Sequence, residues 1–284
     1  MNKAVNKYPK SDILLSFDFS HCADGKQKKV LLCDWTIEYE IVEHQHRMPT
    51  KQEGVNIRRQ EEVLGKADHI ITLFPNVHDF LKEKYASARY LGNGLNCERY
   101  DDSHIEELHF KSNRILFIGR PRYKKALTTL INAVGKYNSS SQEKLVIDAI
   151  GIPEQDVTGT CVHCYGFLNK GIKEDSAKYE SLMKGALAFV NVNDDWIGAQ
   201  SLMEAMYYKL PVIINPNRDI YKVYGETIDF GWYCPNDEDA LCECLMKLRN
   251  LNREEYITMA NNAYDKVEDQ TWSAFAEKLL QTAI

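Results

Sequence analysis

The chain has 284 residues, a formal net charge of −6, 44% hydrophobic residues and 27% charged ones. That length suggests about two domains with a core that needs neither disulfides nor metals, and the composition excludes disorder as the main state. The acidic balance argues against whole-protein attraction to nucleic acid and leaves only a local basic patch for that purpose. No apolar run approaches the ~18 residues of a membrane span. The N-terminal MNKAVNKYPKSD carries lysines with no apolar segment behind them, so a cytoplasmic protein without a secretory signal is expected. The eight cysteines, irregularly spaced from Cys22 to Cys244, then read as reduced thiols, mostly small buried hydrophobes.

In chain order, Asp12–Phe17 and Lys29–Asp34 read as short strands. A polar stretch over 43–60 follows, with His44, His46, Arg47, Lys51, Arg58 and Arg59. A helical pattern over Val55–Lys66 leads into the buried-strand signature Ala67–Leu73, and a helix is expected over 76–85. Gly92, Asn93 and Gly94 carry turn chemistry, because Gly and Asn tolerate positive φ. The charged stretch 98–112 lacks a period and reads as a linker.

Beyond it the alternation is regular. Strands are expected at Ile115–Gly119, Leu145–Gly151, around Cys164, Leu187–Val192 and Pro211–Asn215, with helices at 124–136, 175–185 and 198–208. Continuous Val/Ile/Leu runs alternating with helices indicate a parallel sheet covered on both faces. The fold class is therefore α/β with two units, the first short.

Ligands of such sheets sit outside the carboxyl ends of the strands, near helix N-termini. Three stretches fall there. Gly119-Arg120-Pro121-Arg122-Tyr123-Lys124-Lys125 puts four basic residues between a strand and a helix. Free N–H groups, the helix dipole and an Arg fork together suit a phosphate or diphosphate. Cations at a helix N-terminus otherwise oppose the dipole, which disfavours a merely solvated loop. The second stretch, Asn193 to Met206, ends a strand with Asp194, Asp195 and Trp196 and opens a helix at Gly198. Leu202, Met203 and Met206 should form its core face, with Glu204 near the edge as an acceptor for ligand hydroxyls or as a plain surface residue. The third, Ile214-Asn215-Pro216-Asn217, would line the same crevice.

Together these stretches resemble the donor-binding half of a GT-B glycosyltransferase, most similar to the large retaining family 4, over most of residues 65–276. "RILFIGRPRYKK" at 114–125 resembles that family's strand plus its Arg and Lys element. "SLMEAMYYKLPVII" at 201–214 is similar to its "LLEAMACGKPVIA" stretch. "YGFLNK" at 165–170, "YESLMKGALAFVNVN" at 179–193, "GWYCPNDEDAL" at 231–241 and "TWSAFAEKLL" at 271–280 resemble further family segments, as do "KADHIITLFPNVHDFLKEKY" and "LGNGLNCERY" upstream.

The resemblance implies two Rossmann-like domains, the N-terminal one truncated. Residues 1–108 would be a reduced acceptor-side domain and 109–284 the nucleotide-sugar donor domain, with the last helix packing back on the first. It implies transfer of a sugar from a nucleotide-diphosphate sugar with retention, and neither metal nor other cofactor. Arg120 and Lys125 are implied to bind the diphosphate and Glu204 the ribose. The implied donor-binding set is Gly119, Arg120, Lys125, Gly198, Ala199, Gln200, Ser201 and Glu204.

The family's first carboxylate maps to Trp196, with Asp195 or Asp194 as neighbouring substitutes. A family histidine near the reacting sugar has His21, His44 and His46 as candidates, of which His21 joins Arg120, Lys125 and Asp195 in the catalytic set. The acceptor is expected to be a saccharide, a lipid-linked saccharide or a modified DNA base. A partner chain is expected where the reduced first domain needs completion. The alternatives are a non-catalytic nucleotide- or partner-binding module, and a zinc half-site made by Cys161 and Cys164 with Cys242 and Cys244.

Overall fold

A computed structural model describes residues 12–17, 26–96, 104–194 and 200–283. The chain divides into two compact units: residues up to 94 together with those from 272 onward, and residues 95–271. Among the described residues, no helix is long and apolar enough to cross a membrane.

The first unit begins with β1 (Ile13–Ser16) and β2 (Lys28–Cys33). A helical turn at Ile37–Tyr39 passes into a π-helix at Glu40–His44. Helix α1 (Lys51–Leu64) starts earlier than its apolar period suggests. Its beginning is fixed by a capping box: the Thr50 hydroxyl accepts from the Glu53 N–H, and the Glu53 carboxylate accepts from the Thr50 N–H at 2.7 Å. β3 (His69–Thr72), α2 (Pro75–Lys82) and β4 (Ala88–Tyr90) complete a parallel sheet of order β1-β2-β3-β4.

Alternate residues of β2 supply the two faces of this sheet, as the two-residue period of a strand requires. Leu31 and Cys33 pack with Leu64, Val77 and Leu81 from α1 and α2. Val30 and Leu32, with Ile71 and Leu73, face Phe275 and Leu279 instead.

The second unit is built from α3 (Ile105–Phe110), β5 (Arg114–Ile118), α4 (Lys124–Ser140), β6 (Val146–Ile150), β7 (Val162–Cys164), α5 (Lys173–Gly185), β8 (Ala188–Asn191), α6 (Gln200–Tyr207), β9 (Val212–Ile214), α7 (Arg218–Tyr224), β10 (Gly231–Tyr233), α8 (Glu238–Asn250) and α9 (Arg253–Asp265). Helix α10 (Trp272–Ala283) then returns to the first unit and supplies Phe275 and Leu279. The sheet order is β10-β9-β8-β5-β6-β7, parallel throughout. Its inner strands β5, β6, β8 and β9 are buried along almost their whole length, and α4 lays Ala126, Leu127, Leu130, Ala133, Val134 and Tyr137 on the sheet at helical spacing. Asp148, buried in β6, is held by the Arg114 guanidinium and by the Tyr165 hydroxyl at 2.9 Å.

The stretch read as a linker over 98–112 contains α3, which belongs to the second unit, so the boundary falls at 94/95 and not at 108. Its polar residues are partnered through the fold. Lys209 Nζ reaches Glu106 at 3.2 Å, Arg253 pairs with Glu107, and Phe110 lies against Tyr256 with ring centroids 5.5 Å apart. His109 is fully buried, and its Nε2–H donates to the Tyr208 carbonyl at 2.8 Å.

Burial pushes the His109 imidazole down to about 4, because the charged form cannot be solvated there. The unfolded chain therefore takes up a proton between about pH 6.5 and about pH 4 that the folded chain refuses. We expect stability to fall on acidification through that window by an amount on the order of 3 kcal/mol from this residue. Urea denaturation of the parent and of His109→Gln across the window checks this, and the variant should lose that part of the pH dependence.

Candidate functional site

The reversal of strand order in the second unit falls between β5 and β8, since β5 connects forward to β6 on one side and β8 to β9 on the other. Asn191, the last residue of β8, donates from Nδ2 to the Ile118 carbonyl at the end of β5, at 3.1 Å. Beside this junction two glycines let the chain pack closely, Gly119 against the Phe117 ring and Gly151 against the Gly119 carbonyl. Gly151, at φ +86°, would carry a Cβ only 2.0 Å from the Gly119 carbonyl oxygen. Its N–H donates to Gly166 at 2.6 Å, and the Gly119 N–H donates to Ile150 at 2.9 Å. The ends of β5, β6 and β7 thus form a closely packed floor.

Arg120 follows that floor directly and is exposed. A 3-10 turn at Pro121–Tyr123 leads into α4, and neither Arg120 nor Tyr123 caps it with a side chain. The Lys124 N–H bonds back to the Pro121 carbonyl, and the N–H groups after it receive no cap from the Arg120 or Tyr123 side chain, the condition under which a helix N-terminus favours an anion. Arg122 is turned away onto Tyr123, with its guanidinium 5.0 Å from the ring centroid. Lys125 Nζ stands 3.6 Å from Asp194, but the lysine side chain is 79% exposed, so the contact is weak and easily exchanged for another anion.

Asp194, just past β8, also accepts from Asn215 Nδ2 at 2.9 Å and from Asn236 Nδ2 at 3.2 Å. One carboxylate thus ties together the ends of β8 and β9 and the turn after β10. Two of the three stretches singled out in the sequence meet here, and the first reaches them through Lys125.

Glu204 is not at the edge of the core. It is 6% exposed, enclosed with its neighbours Leu202, Met203, Ala205 and Met206. A buried carboxylate needs partners, and among the described residues Glu204 has two. Lys170 Nζ lies 2.7 Å from both of its oxygens, and the Tyr179 hydroxyl donates to Oε2 at 2.5 Å. Lys170 and Tyr179 lie in the segments YGFLNK and YESLMKGALAFVNVN, whose pattern alone assigns neither residue a role. The visible signal was position, since Lys170 sits in the turn between the β7 strand and the helix that carries Tyr179.

Gln200 and Ser201 open α6 among the described residues, while His21, Asp195, Trp196, Gly198 and Ala199 lie outside them. In the first unit, His44 Nδ1 lies 3.4 Å from Glu40, and His46 adopts φ +51° on an exposed loop. These residues belong to the 43–60 stretch, whose Arg47 is already held by both oxygens of Glu53 at 2.9 and 2.6 Å. Together with Trp35, Glu40 and Gln60, that ion pair lines a cavity of about 340 Å³. Cys161 and Cys164 are partly buried thiols pushed up by burial, and no group of His, Cys, Asp or Glu able to hold a metal occurs among the described residues.

Neither a protein-family model nor a curated protein sequence matches this chain. Solved structures do. Sucrose-phosphate synthase from Thermosynechococcus elongatus aligns at a TM-score of 0.70 over 98% of this chain and 74% of its own, with 16% identity. HepE from Anabaena, in complex with UDP and glucose, gives 0.69 over 99% and 79%, with 14% identity. The fold is GT-B. WaaG, a glycosyltransferase involved in lipopolysaccharide biosynthesis, agrees at 0.68 over 98% and 79%, with 16% identity. The expected pair of Rossmann-like units is thus present, with a parallel sheet of four strands in the first and six in the second among the described residues.

In this GT-B unit the closely packed floor has a direct test. Gly151→Ala forces a Cβ against the Gly119 carbonyl at positive φ and should cost at least about 2 kcal/mol in urea denaturation. Gly166→Ala, at φ +62° with open space around it, should cost only about 1 kcal/mol.

Proposed function

We propose that the second unit binds a nucleotide-diphosphate sugar and that the chain transfers the sugar to an acceptor hydroxyl with retention of configuration. The observation that carries this reading is the pairing of unlike groups around one sheet reversal. Exposed cations and an uncapped helix start follow β5, and a buried carboxylate lies on the helix that follows β8. A nucleotide diphosphate has the complementary pattern, with anionic phosphates at one end and donor hydroxyls on its ribose. HepE's complex with UDP and glucose supports the ligand class by analogy of fold.

In this reading Arg120, Lys125 and the N–H groups at the start of α4 hold the diphosphate. As the bond to the sugar breaks, negative charge grows on the leaving phosphate, and these fixed positive groups stabilise it without reorganisation. They supply the charge a metal would otherwise bring, so transfer should need no metal. Glu204 accepts from the ribose, and Asp195, with Asp194 beside it, is the carboxylate offered to the sugar hydroxyls in place of the one that Trp196 replaces. A second reading rests on Trp196 itself: a binding module would keep the nucleotide and lose the transfer.

A thermal-shift panel with UDP, GDP, ADP, CMP and their sugar conjugates should show stabilisation by one base family, and EDTA should leave it unchanged. Arg120→Ala should lower turnover of the matching nucleotide sugar about a hundredfold with an unchanged melting temperature. Stabilisation without turnover on any acceptor would favour the binding module, and full turnover in Arg120→Ala would overturn the assignment of that residue.

A further inference from the structure

The Glu204 carboxylate is shared among three groups in a closed arrangement. Lys170 Nζ touches both oxygens, Tyr179 touches Oε2, and Lys170 Nζ also stands 4.1 Å from the centroid of the Tyr179 ring. Of the roughly four acceptor positions of a carboxylate, Oε2 has therefore used two and Oε1 one. Among the described residues what remains is directed: one lone pair, on Oε1.

The two partners are built differently. Tyr179 is buried on α5, so its hydroxyl is a rigid stop that sets the rotation of the carboxylate. Lys170 has a side chain 46% exposed and stands on the turn between β7 and α5, so it brings the compensating charge on an arm that can yield. An acid enclosed in the core with neither partner would meet the full cost of an unpaired buried charge.

We propose that Lys170 and Tyr179 are positioning residues for nucleotide binding. They hold Glu204 rotated so that its remaining acceptor meets a ribose hydroxyl, and Lys170 withdraws from Oε1 as the second hydroxyl arrives. The inference rests on Glu204 being the ribose acceptor, and it adds that the carboxylate's orientation is set from outside its own helix. Lys170 acts through Glu204 and not on the phosphates.

Calorimetric titration with UDP, or with whichever of GDP and ADP binds the parent, tests this on the full chain. Lys170→Met should weaken binding about tenfold, and Tyr179→Phe by a smaller factor in the same direction. Lys170→Arg, which keeps the cation but whose fork also competes for Oε1, should restore only part of the affinity. In a Glu204→Gln background, Lys170→Met should change affinity less than about twofold, because the group it serves is gone. Parent-like binding by Lys170→Met overturns the inference, as does an equal loss in both backgrounds, which would place Lys170 on the ligand or in the fold. A parent that binds no nucleotide, or a Glu204→Gln variant that binds like the parent, overturns the underlying reading and this inference with it. Should Lys170→Met not fold, Tyr179→Phe carries the same cycle with Glu204→Gln, and equal losses in both backgrounds overturn the inference.

Discussion

Where β5 lies beside β8, the chain leaves the two strands in opposite directions across the sheet. Right-handed crossovers then send the following helices to opposite faces, and the space above the junction is left uncovered. Everything placed at the site follows from that opening. Gly151 lets the backbone close against the Gly119 carbonyl, Asn191 closes the seam between the strands, and the residues after each strand end become its walls. The order of the strands, more than any single side chain, decides that Arg120 and Asp194 share a neighbourhood.

The charges around the opening are held in unequal ways, and the inequality has chemical meaning. Lys125 and Asp194 meet in solvent, where such a pair is worth little and exchanges freely. Lys170 and Glu204 meet with one partner buried, where separation is costly. One side of the opening carries a pair that solvent can separate, and the other is preset by internal contacts.

Much of this was legible in the sequence, for physical reasons. Buried parallel strands leave apolar runs that survive any register error, so β5, β6, β8 and β9 were readable. Edge strand β4 was not, because its Arg89 and Tyr90 are exposed and its glycine-rich sequel suggested only a turn. Helix α3 looked like a charged linker, since Glu106 and His109 are buried by partners about a hundred residues away. The same blindness hid the surroundings of Glu204. Its position on α6 was clear, but whether a carboxylate faces water or core depends on Lys170 and Tyr179, which no local pattern connects to it.

Helix α10 covers one face of the first unit's sheet, with Phe275 and Leu279 over Val30, Leu32, Ile71 and Leu73. It follows the whole of the second unit along the chain, so the first unit to be synthesised is the last to be completed. During synthesis its sheet waits with one apolar face open while some 180 residues of another unit are made. That is the interval in which a chaperone or an aggregating neighbour would find it. A frameshift ahead of Trp272 would consequently be felt as a defect in the sheet built from residues 13–90.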